Sequence, residues 1–204
     1  SFGGVYDRSF VVTQPDGVAV TQRDHPVLAT VIVSVEGSDY INVSCREESI
    51  RIANKPFGLP RGVKIGREDT ATGHLSEEGS AFFSTLLGDE YFLVRIDPSV
   101  PRVHRELGES THLGAADAFP LLLANTESLD DLNSRLKGLG KAVVDMSRFR
   151  PNVVVARAPA YAEDDWVTLQ FGKGFRVRNV KKCQRCVMTT IDQSTGEISE
   201  KGQP

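Results

Sequence analysis

At 204 residues, 40% hydrophobic and 25% charged, the chain has an ordinary globular composition, with room for one large domain or two small ones. A formal charge of −3 removes any bulk electrostatic reason to expect nucleic acid as the main partner. Three cysteines are too few, and odd in number, for a secreted disulfide framework, which points to a reducing compartment.

The first forty residues read as strands. In SFVVTQPDGVAVTQ, β-branched residues flank Pro15-Asp16-Gly17, a hairpin signal because Gly17 can supply a positive φ. HPVLATVIVSVEGSDYINVS repeats the pattern, with Glu36-Gly37-Ser38-Asp39 as its turn. The run VLATVIV within it is far below the roughly 20 residues a helix needs to cross a bilayer. Residues 51–75 are rich in Gly, Pro and charge, which predicts irregular connections between short strands. SEEGSAFFSTLLG predicts a helix over 76–88, with Ser76 as N-cap, Glu77 and Glu78 at the positive end of the dipole, and Gly88 as the stop. YFLVRI at 91–96 reads as a buried strand.

The stretch Asp97–Gly114, with two prolines and many polar residues, is the best domain boundary. Beyond it, FPLLLAN reads as a strand, and TESLDDLNSRLKGLG as a helix with Thr126 as N-cap and Arg135 and Lys137 near its end. NVVVARA, WVTLQFG, GFRVRNV and CVMTTID read as further strands. The fold class is α+β, mainly β: two β-rich lobes, 1–100 and 101–204, with a few helices.

Several kinds of chemistry have no support. There is no phosphate-cradling glycine loop, no HExxH and no GxSxG, and SRLK at 134–137 is the surface of an amphipathic helix. The cysteines are more informative. KKCQRCVMTTID sets Cys183 and Cys186 three positions apart. Structural zinc would need two more ligands, yet His25, His74, His104 and His112 are scattered singly and Cys45 lies in the other lobe. A redox dithiol usually opens a helix, whereas a strand-like run follows here. Two small residues packed at a strand start is the plain alternative. Against that, Phe171–Cys186 holds six basic side chains (Lys173, Arg176, Arg178, Lys181, Lys182, Arg185) and no acidic one. Cations beside a thiol favour thiolate, and a thiolate among cations suits an anionic, phosphate-bearing ligand that also offers a soft metal. A solvated basic face remains the competing explanation.

SRFRPNVVV adds Arg148 and Arg150 just before Pro151 and Asn152 at a strand entrance, where a guanidinium can grip phosphate or a polar heterocycle. An arginine pair closing a barrel rim through backbone carbonyls fits the same spacing. YDRSFVV puts Asp7 and Arg8 before a strand, and a local ion pair accounts for them equally well.

Taken together, VYDRSFVVTQPDGVAVTQRDHPVLA, ADAFPLLLANTESLDDLNSRL, MSRFRPNVVV, YAEDDWVTLQFG and CQRCVMTTIDQSTGE resemble the MOSC family, in its branch of amidoxime reducing components. The resemblance implies an N-terminal β-rich domain packed on a MOSC β-barrel, with molybdopterin between them. It implies that Cys186 is the molybdenum ligand and the catalytic residue, that Gln184 and Arg185 line the metal, and that Cys183 is a neighbour only. Arg150 and Asn152 would hold the pterin and its phosphate, Arg8 would reach the phosphate, and the turn at Asp117 would add backbone groups. The implied activity is reduction of N-hydroxylated or N-oxide-type substrates, with electrons from a small haem or iron–sulfur protein and its flavoprotein reductase. A first strand before residue 1, with a lysine–serine pair, and closing strands after residue 204 are expected on the same ground. The compartment is left open by the resemblance: a reducing one, cytoplasmic, or the cytosol-facing mitochondrial outer membrane where an N-terminal anchor has been lost. Pyridoxal phosphate binding attaches to the family only in general terms. Two other roles are compatible: a cofactor carrier like the C-terminus of molybdenum cofactor sulfurase, and a non-catalytic interaction subunit of the same fold.

Overall fold

A computed structural model describes residues 6–55, 58–66, 69–103, 110–111, 114–116 and 119–199. The chain divides into two compact units, Ser1–Pro120 with Ser194–Glu197, and Leu121–Gln193 with Ile198–Pro204. The fold is mainly β.

In the first unit, β1 (Phe10–Thr13), β2 (Ile32–Glu36), β3 (Tyr40–Cys45), β4 (Glu48–Ala53), β5 (Pro60–Ile65) and β6 (Asp69–Ser76) precede α1 (Glu77–Leu87) and β7 (Phe92–Ile96). A four-stranded antiparallel sheet runs β1-β7-β6-β5, and a second, three-stranded, runs β2-β3-β4. The Pro-Asp-Gly turn forms as expected: Gly17 sits at φ +85, and a Cβ there would stand 2.8 Å from the Gly62 carbonyl oxygen. Gly37, at φ +61, turns β2 into β3. Helix α1 has the predicted ends, with the Ser76 side chain accepting from Gly79 N and Gly88 left-handed at the C-cap. Its Phe82 and Phe83 join Ile41, Val43, Ile52 and Leu93 in one apolar cluster, while Val63, Ile65, Val94 and Ile96 form another.

Two local expectations fail here. Residues 51–75 hold regular six- and eight-residue strands, β5 and β6, paired from Pro60↔His74 to Ile65↔Asp69. Ladder pairing and burial of Val63 and Ile65 outweigh the weak propensity of a Gly- and charge-rich stretch. Pro26–Thr30 is a 3-10 turn and not a strand, with Pro at its start and Thr30 Oγ1 donating to the Val27 carbonyl.

The chain continues through the short pair β8 (Arg102–Val103) and β9 (Ser110–Thr111), still in the first unit. The second unit opens with β10 (Leu123–Asn125), α2 (Thr126–Gly138) and β11 (Val153–Val155). β10 and β11 pair in parallel, the connection through α2 supplying the crossover that parallel strands require. Asn125, not Thr126, is the N-cap: its side chain accepts from Glu127 N. An antiparallel hairpin of β12 (Thr168–Phe171) and β13 (Phe175–Arg178) follows.

The expected strand CVMTTID is absent. Val187–Thr190 forms a 3-10 turn, because Thr189 Oγ1 donates to the Cys186 carbonyl at 3.0 Å and Thr190 Oγ1 to the Val187 carbonyl at 2.7 Å. Hydroxyls that bond backward hold a turn where β-branching alone suggests a strand.

Candidate functional site

The Cys183–Cys186 segment is suspended between two anchored points of the second unit. Upstream, Asn179 N donates to the Val167 carbonyl at 2.9 Å and its side-chain amide to the Glu163 carbonyl at 3.0 Å. Lys182 Nζ meets Asp164 at 2.9 Å, a bond that raises the lysine pKa above its ordinary value. Glu163 is itself held, accepting from Ser128 Oγ at 2.6 Å and from the buried Asn125 amide at 2.9 Å. Downstream, the Cys186 carbonyl accepts from both the backbone and the hydroxyl of buried Thr189. Between these points residues 181–187 are all exposed, so Cys183, Gln184, Arg185 and Cys186 face solvent.

Packed on that turn is a second one, Met146–Phe149, capped by Arg150 in a left-handed conformation at φ 52. Arg148 joins the two. Its guanidinium donates to the Thr190 carbonyl at 3.0 Å, to Ser199 Oγ at 2.7 Å and to Asp192 at 3.3 Å, with its side chain 11% exposed. Arg185 lies over the Phe149 ring, 5.0 Å from the centroid. Residues about 40 positions apart in sequence are thereby held together.

Each expected site residue has a defined place. Cys186 opens the Val187–Thr190 turn, and Arg150, exposed, ends the turn packed on it. Asn152 pairs with Leu122: its Oδ1 accepts from Leu122 N at 2.9 Å and its own N donates to the Leu122 carbonyl at 2.8 Å. Arg8 is left-handed at φ 50, its guanidinium bonds to Asp7, and its carbonyl accepts from Ala115 N, all within the first unit. Asp117 lies outside the described residues. Of the two arginines in SRFRPN, Arg148 is the one that closes onto backbone carbonyls; its partners Thr190, Asp192 and Ser199 carry no sequence signal at that separation. The Glu163–Asn179 support is invisible in the sequence for the same reason, whereas the backward-bonding threonines could have been suspected from the TT pair.

The donor set limits which metals would fit. Among the described residues no group of three or more His, Cys, Asp or Glu side chains could hold a metal ion. A thiolate at Cys186 suits a soft metal, and the exposed Arg150 and Arg185 suit an anionic organic ligand. The residues present fit a thiophilic metal carried on a phosphate-bearing ligand.

Comparison with known proteins agrees on family. The MOSC N-terminal beta barrel domain matches residues 1–90 and the MOSC domain matches residues 109–203. The chain belongs to the MOSC-domain family. Mitochondrial amidoxime reducing component 2 of Macaca fascicularis is 30% identical, and that of Rattus norvegicus 32%, each over 98% of this chain and 60% of the relative. Molybdenum cofactor sulfurase of Oryza sativa subsp. japonica is 27% identical over 99% of this chain and 27% of its own length. The chain thus spans 60% of the amidoxime reducing components it matches.

Proposed function

We propose that this chain is the cofactor-holding part of a molybdenum-dependent oxidoreductase that reduces N-hydroxylated or N-oxide-type substrates. The supporting observation is the packing of the Met146–Phe149 turn, ended by Arg150, on the Val187–Thr190 turn, opened by the exposed thiol of Cys186. In this reading Cys186 Sγ is the protein's bond to the metal, with Gln184 and Arg185 beside it. Arg150 contributes a forked cation for phosphate or pterin. Asn152, whose Oδ1 is engaged by Leu122, contributes its amide donor. Arg8 and the backbone at Asp117 carry over from the family resemblance as further cofactor contacts. When bound, the molybdenum cofactor supplies the two-electron chemistry. The chain's own part is positional: Thr189 fixes the backbone at Cys186, and Arg148 clamps the two turns so that thiol and cations keep a constant spacing. Electrons would come from a small haem or iron–sulfur protein and its flavoprotein reductase.

The test is metal analysis of chain made in a host that synthesises molybdopterin, alongside Cys186→Ala. Bound molybdenum in the parent that falls to background in the variant is expected, with thermal stability of the cofactor-free protein unchanged because the side chain is exposed. No molybdenum in the parent sinks the reading. Similarity to molybdenum cofactor sulfurase over nearly the whole chain favours one second reading, a cofactor carrier. Molybdenum retained without reduction of an amidoxime, given a competent electron donor, would select it.

A further inference from the structure

Cys183 has no role in the reading above, and its position suggests one. In an extended strand, residues three apart lie on opposite faces and span roughly 10 Å. A disulfide requires Cα atoms within about 7 Å. Had the cysteine run been strand, Cys183 and Cys186 could not join. Residues 179–186 carry no regular secondary structure, so although Cys186 itself is extended at φ −130, no strand pairing holds the run, and the turn that follows begins only at Val187. Both thiols are reduced and exposed, and the segment is fixed at Asn179 and Lys182 on one side and at the Cys186 carbonyl on the other. Closing the pair bends only the residues between, with no ladder to break. Lys181 and Arg185 flank the thiols in a run with no carboxylate between Phe171 and Cys186 in sequence, while Lys182 is paired with Asp164. Such a flank attracts anionic reagents.

We propose that Cys183 and Cys186 form a reversible intramolecular disulfide by exchange with a small anionic disulfide of the glutathione type. One cysteine thiolate attacks the small disulfide, whose S–S bond breaks; a mixed disulfide forms and one small thiolate leaves. The second cysteine gives its proton to solvent and attacks the mixed bond, releasing the second small thiolate. Two protein sulfurs are oxidised and one small disulfide is reduced to two thiols. In the function proposed above, closure removes the thiolate the metal needs. Exchange is measured on cofactor-free chain, so its failure would leave the molybdenum reading standing.

The experiment treats the chain with glutathione disulfide, counts thiols and maps the products by mass. Two of the three thiols should disappear as a Cys183–Cys186 bridge, return with dithiothreitol, and leave Cys45 unmodified, since it is 3% exposed and sits 3.3 Å from Thr30 Oγ1. Cys183→Ser should stop at a stable mixed disulfide on Cys186, and Cys186→Ser at one on Cys183. Raising salt from about 0.05 to about 0.5 M should slow the reaction several-fold while barely affecting the neutral hydroxyethyl disulfide. Inert thiols, mixed disulfides that persist on the parent, intermolecular dimers as the sole product, or identical salt dependence for the two reagents would each overturn the proposal.

Discussion

In the first unit the most deeply buried side chains include Ile52, Val63 and Val94, all at 1% exposure or less and all inside apolar clusters, beside one polar residue, Thr13, at 0%. In the second, the equivalents are Asn125 at 1% and Ile191 at 2%, and both apolar clusters found among the described residues lie elsewhere. The second unit relies on side chains bonded to backbone: Asn125 to the Pro159 carbonyl, Asn133 to both backbone groups of Val144, Arg148 to the Thr190 carbonyl. Apolar burial is strong and non-directional, whereas such bonds are weaker but fix orientation. Under the proposed function, a unit that would hold a thiol and cations at set spacing gains from the second kind.

The largest expected effect is in the first unit. Ile52→Ala should cost about 2–5 kcal/mol, read from the urea unfolding midpoint. Arg148→Ala should cost less, about 1.5–3 kcal/mol, and mostly locally: amide hydrogen exchange should rise over residues 187–199 with little change in β3, β4 and β7. If Arg148→Ala unfolds the first unit as readily as Ile52→Ala does, the contrast between the units is wrong. Asp97 should give a smaller, pH-dependent effect. The hydroxyl and backbone of Ser99, and then His74, hold its pKa below the usual carboxylate value. A depressed folded-state pKa contributes stability that is present above the unfolded value and lost as pH falls through the folded one. Asp97→Asn should therefore lower stability at neutral and alkaline pH, cost least at strongly acid pH, and so flatten the acid limb of the stability profile. Smallest of all is Arg51→Ala, which removes an exposed pair with Glu36 at 3.0 Å. Its ionic part should vanish at high salt, leaving only the loss of the guanidinium that lies 3.7 Å over the Tyr40 ring.

Where one local rule governed, the sequence was readable. Helix α1 starts at Ser76 and stops at Gly88 because a capping hydroxyl and a left-handed glycine act within one turn. The Pro15-Asp16-Gly17 and Gly37 turns follow for the same reason. Where two local preferences competed, it misled. Asn125 and Thr126 are both good caps, and the choice fell to Asn125, whose amide also bonds the Pro159 carbonyl and Glu163. The Thr189–Thr190 pair is β-branched, yet its hydroxyls bond backward and make a turn.

The sequence by itself determined the mainly β class, both long helices and the family, because periodicity, caps and motifs are properties of neighbouring residues. Only the tertiary structure decided that β10 and β11 pair in parallel, that Arg148 clamps the two turns while Arg150 stays at the surface, and that the cysteines lie in an irregular span. The first two depend on partners some 30 to 50 positions away, and the third on anchors 16 and 18 positions away together with the backward-bonding threonines, all found by hydrogen-bond satisfaction across the folded unit.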